Sequence, residues 1–318
     1  MLTADSCRPQ VAVLPAAGLG TRMRGVDPLL PPNLPKELYP VAGLPAIHHA
    51  LMLAIDAGIP HAVVVVREDK HALRRVLADP WTAMAAYPQS AEVSAAIARQ
   101  LTVHVCFQDS PRGECDALAA AWPVTKGLAQ EQPVTVVYPD NLVFPGPHRN
   151  VPLLLRLAAA VQQTGRETVA LMPTGAEPRD DISDSGRVNL APWVDDDPEH
   201  SMDEALSGLH SITGFLPKGP GMFTPRFPDE LRTCGIYAAT ARWFEAIESA
   251  LSDGLPAAGT ELTDGVVRRR MLDAGAVFAG LETGADVLDI GNPAGYRRAV
   301  SLLGRGECRP ERLTAAGA

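Results

Sequence analysis

Lysine is nearly missing from this chain. Four lysines, Lys36, Lys70, Lys126 and Lys218, stand against twenty-four arginines among 318 residues. Arginine is therefore the default cation, and a lysine kept in that background marks a place that needs a compact ammonium with rotatable donors. Long apolar runs are also absent: nothing approaches the roughly 18 to 20 residues of a membrane-spanning helix. The longest aliphatic cluster, 62–66, has the length of a buried strand. The opening residues MLTADSCRPQ contain no basic stretch leading into an apolar one, so no secretory signal is expected. The five cysteines, Cys7, Cys106, Cys115, Cys234 and Cys308, form no CxxC pair and have no histidine at zinc-finger spacing. That odd count fits reduced thiols and a cytoplasmic setting rather than a disulfide framework. Positive charge is in deficit too. A net charge of −9 argues against a nucleic-acid partner, while a local basic pocket for a small polyphosphate stays open.

What is present is ordinary folded-domain material, 46% apolar and 20% charged, which excludes wholesale disorder. Apolar runs at 11–16, 62–66, 102–107, 134–138 and 168–172 read as strands. Helical patterns lie between them at 46–57, 70–77, 115–122 and 151–163. Gly58 is placed to stop the first helix, and Asp69 to cap the second. This alternation predicts an α/β fold with a mainly parallel sheet covered on both faces. After about residue 174 the texture changes. Residues 179–204 are acidic and read as a solvated surface excursion. Strands are then expected at 211–215, 234–238, 276–281 and 287–289, with helices at 242–251 and 262–274. Asn292-Pro293 opens a last helix as N-cap and first-turn proline. A tail frayed from Gly304 is expected. No repeat or linker interrupts the chain, so 1–303 reads as one continuous domain and 304–318 as its tail.

Four stretches carry chemistry. VAVLPAAGLGTRMRG runs a strand into a glycine turn, but Met23 stands where the dinucleotide fingerprint has its third glycine. Backbone N–H groups with an immediate guanidinium, Arg22, suit a polyphosphate better than a nicotinamide. In PKELYP, Lys36 sits in a proline-flanked turn after the proline-rich excursion GVDPLLPPNLP. In VTVVYPDNLVF and DVLDIGNPAGY, Asp140 and Asp289 each close a buried strand, at the edge where open α/β sheets bind ligands. Two such carboxylates suit one hard divalent cation shared with phosphate oxygens. The alternatives at this level are a bare tight turn at the glycines, a surface lysine, and turn-capping aspartates.

GLGTRM, PKELYP, QDSPRGECDAL, YPDN, GTELTD and DIGNPAGY, in that order from Val11 to about Val300, resemble the sugar-1-phosphate nucleotidylyltransferases. The resemblance is nearest to the enzymes acting on glucose 1-phosphate with UTP or dTTP. It implies a three-layer α/β/α, doubly wound fold with a mainly parallel mixed sheet and a homo-oligomer of two or four copies. It also implies a nucleotide-binding half over about 10–140 and a sugar-phosphate half over about 141–303. The implied reaction condenses a nucleoside triphosphate with a sugar 1-phosphate and releases pyrophosphate, with Mg2+ as cofactor.

Carried over by position, Ala17, Gly18, Gly20, Thr21 and Arg22 would wrap the triphosphate, and Lys36 would bridge its phosphates. Gln108 and Gly113 fall where the base is read, Gly186 and Lys218 where the sugar phosphate is met, and Asp140 and Asp289 match the metal pair. No histidine is assigned a catalytic role, and His48-His49 reads as structural or surface. Three departures bear on the acceptor. Pro217 replaces the glutamate that binds sugar hydroxyls, Asp116 replaces a glutamine or histidine, and the excursion before Lys36 is long. A modified sugar or a cyclitol phosphate is thus within the reading. The rival expectations are a cytidylyltransferase for a non-sugar phosphate, a non-catalytic homologue and, last, a nicotinamide oxidoreductase.

Overall fold

A computed structural model describes residues 8–144, 151–183, 185–194, 206–217, 221–309 and 311–314. The first strand, β1 (Val11–Pro15), is followed by the small hairpin β2 (Pro40–Val41) and β3 (Leu44–Pro45) and by α1 (Ala46–Asp56). Then come β4 (His61–Val66), α2 (His71–Ala78), α3 (Ala91–Gln100), β5 (Thr102–Phe107), α4 (Glu114–Ala129) and β6 (Val134–Val137). The second half holds β7 (Asn141–Phe144), α5 (Leu153–Thr164), β8 (Glu167–Pro173), β9 (Gly186–Pro192) and β10 (Leu209–Leu216). It closes with β11 (Leu231–Ala239), α6 (Ala241–Ser252), α7 (Asp264–Asp273), β12 (Phe278–Glu282), β13 (Asp286–Asp289), α8 (Pro293–Leu303) and α9 (Glu311–Thr314).

Nine strands form one sheet in the order β5-β4-β1-β6-β11-β8-β12-β10-β9. Seven run one way; only β10 and β11 run against them. The sheet is thus mixed and mainly parallel. Its central strands are apolar on both sides, as a sheet covered twice requires. Ala12, Leu14, Val64 and Val66 pack with α1, α2, α3, α5 and α8. Val11, Val13, Val63 and Val65 face α4, α6 and α7. These are the three layers.

Several local expectations are corrected. Asp69 does not cap α2; Lys70 holds the N-cap position, and Asp69 accepts from Arg67 instead. Within the acidic stretch read as surface excursion, Gly186–Pro192 is an edge strand, because its alternate residues face β10 and the start of β11. The run at 195–197 lies outside the described residues. Helix α4 passes through Pro123 to Ala129, well beyond the expected end at Trp122. Packing overrides the proline there: Trp122 stacks on Phe244 at 4.2 Å between ring centroids. The tail from Gly304 is packed rather than frayed over its described part. Ala42 and Gly43 donate to the carbonyls of Gly304 and Arg305 at 2.8 and 2.9 Å, Arg309 donates to Ala86 O at 2.6 Å, and Leu313 is buried. No helix among the described residues is long and apolar enough to cross a membrane.

Glu167 opens β8 beneath the start of α6, where its carboxylate accepts from Thr240 N at 2.8 Å and Thr240 Oγ1 at 2.6 Å. Burial outweighs these bonds and pushes its pKa from 4.5 up to about 7. Between those values the folded chain keeps a proton that the unfolded chain has lost. The group's stabilisation is therefore complete below 4.5 and is lost as pH rises through about 7. Glu167→Gln cannot lose that proton, so its Tm is expected to gain on the wild type between about pH 5 and pH 8. Thermal melts at both pH values check this; a Tm difference independent of pH would contradict it.

Candidate active site

The strands β5, β4, β1 and β6 all end at one edge of the sheet, where the connections leaving β1, β5 and β6 line a cavity of about 490 Å3 together with residues of the second half. The glycine loop leaves β1 after Ala16, whose N–H donates to Val65 O at 2.8 Å. Gly20 takes a left-handed φ of 63° that lets the chain turn into the single 3-10 turn Thr21–Met23, which carries Arg22. Ala17, Gly18, Gly20, Thr21 and Arg22 all line the cavity.

Lys36 reaches the cavity beside Gly20 on a second 3-10 turn, Lys36–Leu38. Three of the chain's five tyrosines hold this turn and its flanks. Tyr39 donates to Met23 O at 2.8 Å, Tyr87 donates to Leu38 O, and Tyr296 donates to Pro40 O at 3.2 Å. Inside the long excursion, Leu30 and Leu34 are buried, so it is a packed loop rather than a solvated one. A few aromatics placed here do what a larger core would do elsewhere.

The two aspartates meet through a non-local pairing. Strand β7 lies antiparallel to β13 with Asn141 opposite Asp289, and Ile290 N donates to Asp140 O at 2.8 Å. A Cβ built on Gly291 would lie 2.6 Å from Asp140 Oδ2 and 3.0 Å from Asp289 Oδ1. Both carboxylates thus close on one point that only a glycine leaves open. Lys36 Nζ donates to Asp140 Oδ2, so a cation already stands beside that point. Burial disfavours the Lys36 ammonium, but Asp140 and Glu37 outweigh it and hold its pKa above the ordinary value. Burial likewise works against the Asp140 carboxylate, and Lys36, with Arg22 farther off, keeps its pKa below the usual range. The pair is charged at neutral pH.

Among the described residues no cluster of three or more His, Cys, Asp or Glu side chains forms a protein-only metal cage. Asp140 and Asp289 fit a cation that takes its remaining ligands from phosphate and water. Gln108 and Gly113 line the cavity near the end of β5. The Gln108 amide nitrogen donates to Gly113 O at 3.0 Å and Asp116 Oδ2 at 2.7 Å. Gly113 has φ 113°, and a Cβ there would stand 2.6 Å from the Leu262 backbone. Its glycine is therefore required by chain packing whatever the cavity holds. Gly186 lines the cavity on the far wall, where Thr233 Oγ1 donates to its carbonyl at 3.3 Å. Lys218 lies outside the described residues, and Pro217 is exposed at the end of β10. His48 is buried, and burial takes its pKa down to about 3, which suits a neutral structural ring. Ser185, Thr233, Gly291, Glu114 and Asp264 also line the cavity, and sequence patterning did not single them out. The glycine of DIGNPAGY, QDSPRGECDAL and GTELTD were the available signals for the last three.

No protein-family model matches the chain. The UTP–glucose-1-phosphate uridylyltransferase of Streptococcus pneumoniae is 28% identical over 263 residues, covering 80% of this chain and 78% of the relative. In sequence the chain is thus similar to sugar-1-phosphate nucleotidylyltransferases. Its fold is that of two solved structures. A UDP-glucose pyrophosphorylase complexed with UDP-glucose superposes with a TM-score of 0.70 at 20% identity, over 92% of this chain and 98% of that one. A UTP-bound UGPase from Acinetobacter baumannii gives 0.66 at 22% identity, over 93% and 96%. Against this nucleotidylyltransferase framework, the Gly291 contact offers a direct check on the carboxylate pair. Gly291→Ala is expected to weaken divalent-cation binding about tenfold or more in calorimetry while leaving the circular dichroism spectrum unchanged. Retained affinity would separate cation binding from Asp140 and Asp289.

Proposed function

We propose that this protein joins a nucleoside triphosphate, UTP or dTTP, to a sugar 1-phosphate and releases pyrophosphate. The observation that carries the reading is the convergence of Lys36, Asp140 and Asp289 beside the Arg22 loop, at the ligand-binding edge of the sheet. A sugar-phosphate oxygen attacks the α-phosphorus, the bond to the β-phosphate oxygen breaks, and pyrophosphate leaves with the electron pair. The nucleophile is already ionised at neutral pH, so no general base is needed. Transfer of this kind depends on positioning and charge neutralisation.

In this reading the loop Ala17–Thr21 and Arg22 hold the leaving phosphates, and Lys36 neutralises charge on the group being transferred. Asp140 and Asp289 would hold Mg2+. That ion, when bound, draws charge from the phosphate oxygens and orients them. Gln108 and Gly113 face the base, and Gly186 and Lys218 the sugar phosphate. Residues 10–140 then form the nucleotide half of one domain and 141–303 the sugar-phosphate half. With Pro217 where a hydroxyl-binding glutamate is usual, the acceptor is glucose 1-phosphate, a modified sugar or a cyclitol phosphate. A homo-oligomer of two or four copies in the cytoplasm completes the reading, supported by the family resemblance.

The test is pyrophosphate release with each nucleoside triphosphate against a panel of sugar and cyclitol 1-phosphates, with and without Mg2+. Release with UTP or dTTP, abolished by chelation, is expected; silence across the panel would overturn the reading. Lys36→Ala and Asp140→Asn should each lower kcat by about two to three orders of magnitude. Near-wild-type turnover in either would sink the assignment of these residues.

A further inference from the structure

Of the lysines that survive the chain's preference for arginine, Lys70 lies outside the cavity lining and is nevertheless buried. It is 8% exposed, between β4 and α2, and lysines are seldom buried unless paired. All three of its ammonium donors are used: Ala16 O at 2.7 Å, and Glu37 Oε1 and Oε2 at 2.9 Å each. Glu37 is 2% exposed and directly follows Lys36 in the 3-10 turn. Ala16 directly precedes the glycine loop. One nitrogen therefore joins the glycine-loop segment and the Lys36 turn, which both line the cavity. A compact head serving a carbonyl and both oxygens of one carboxylate is a geometry that a planar guanidinium fork does not reproduce. That accounts for lysine here in an arginine-rich chain.

We infer that Lys70 is a positioning residue, which fixes the Lys36 turn against the glycine loop and keeps Lys36 directed at Asp140. The inference rests on the proposed reaction for its kinetic consequence. Its physical basis is competition for a counter-charge. Glu37 adjoins Lys36 and attracts its ammonium: against burial, Asp140 first and Glu37 second raise the Lys36 pKa. With both Glu37 oxygens occupied by Lys70, Lys36 Nζ turns to Asp140 instead of folding back on its neighbour. The Ala16 bond sets the height of the loop, whose Gly20 lies over the Lys36 stem: a Cβ there would be 3.8 Å from Lys36 Cγ. Fold stability alone does not call for this pair, because well-packed apolar replacements of buried ion pairs are often neutral or stabilising.

That last point supplies the test. The apolar pair Lys70→Met/Glu37→Leu is expected to keep the wild-type Tm within a few degrees while kcat falls at least tenfold and KM for the nucleotide changes less than threefold. In a Lys36→Ala background the same exchange should change kcat less than twofold, since the residue it positions is gone. Wild-type kcat in the apolar pair, or an undiminished effect without Lys36, would overturn the inference. A second readout needs no turnover and stays decisive if the pyrophosphate assay is silent, or if only Lys70→Arg folds. With so few lysines, labelling by an amine-reactive ester can be followed at each by mass spectrometry. Lys36 should label at least fivefold faster in the apolar pair, or in Lys70→Arg, than in the wild type, with Lys126 unchanged. An unchanged Lys36 rate would overturn the inference by itself.

Discussion

An ammonium and a carboxylate placed together at the end of a parallel sheet set the terms for the rest of this molecule. Lys36 and Asp140 are each largely withdrawn from water, and neither would stay charged there alone. Keeping both charged requires that two distant segments arrive at a fixed separation. The tyrosine contacts serve one arm of that requirement, and the β7–β13 pairing serves the other. The glycine loop lies across the space between them. What looks like a collection of short motifs is one electrostatic demand met from several directions.

The sheet explains how those directions are available. Strands β5, β4, β1 and β6 share a direction and deliver their connections to a common edge. Beyond β6 the direction reverses at β11, and β9 takes up pairing with β11 at Arg232 and Thr233. The place left beside β11 between the end of β6 and the start of β9 is where Tyr138, Gly186, Thr233 and Gly235 line the cavity. A wholly parallel sheet would have continued the edge; the reversal gives the cavity a second wall.

Much of this was legible in the sequence, for identifiable reasons. The strands around β1 and β4 are continuous runs of Val and Ala because both faces are covered, and such runs are hard to misread. Lys36 stood out because lysine is scarce and because PKELYP carries the family resemblance. Asp140 and Asp289 were legible as strand-ending carboxylates, yet their meeting depends on pairing across nearly half the chain, which no local period encodes. Strand β9 was hidden by its acidic surroundings. Helix α4 was cut short by a proline that tertiary packing overrides. Glu37 and Lys70 are 33 positions apart, and their burial against one another depends on a non-local contact that no local pattern encodes.

The closing residues of the chain add a mechanical consequence. Arg305 pairs with Asp27 of the excursion at 3.2 Å, while Gly304 and Arg305 accept from the β2–β3 turn just after the Lys36 segment. The excursion, the lysine turn and the exit of α8 are thereby stitched into one collar around a single flank of the cavity. Displacement of the excursion by an incoming ligand has to carry the collar as a whole or break a partly buried charge pair. A change made in the excursion is therefore felt at Gly304 and Arg305, and the reverse.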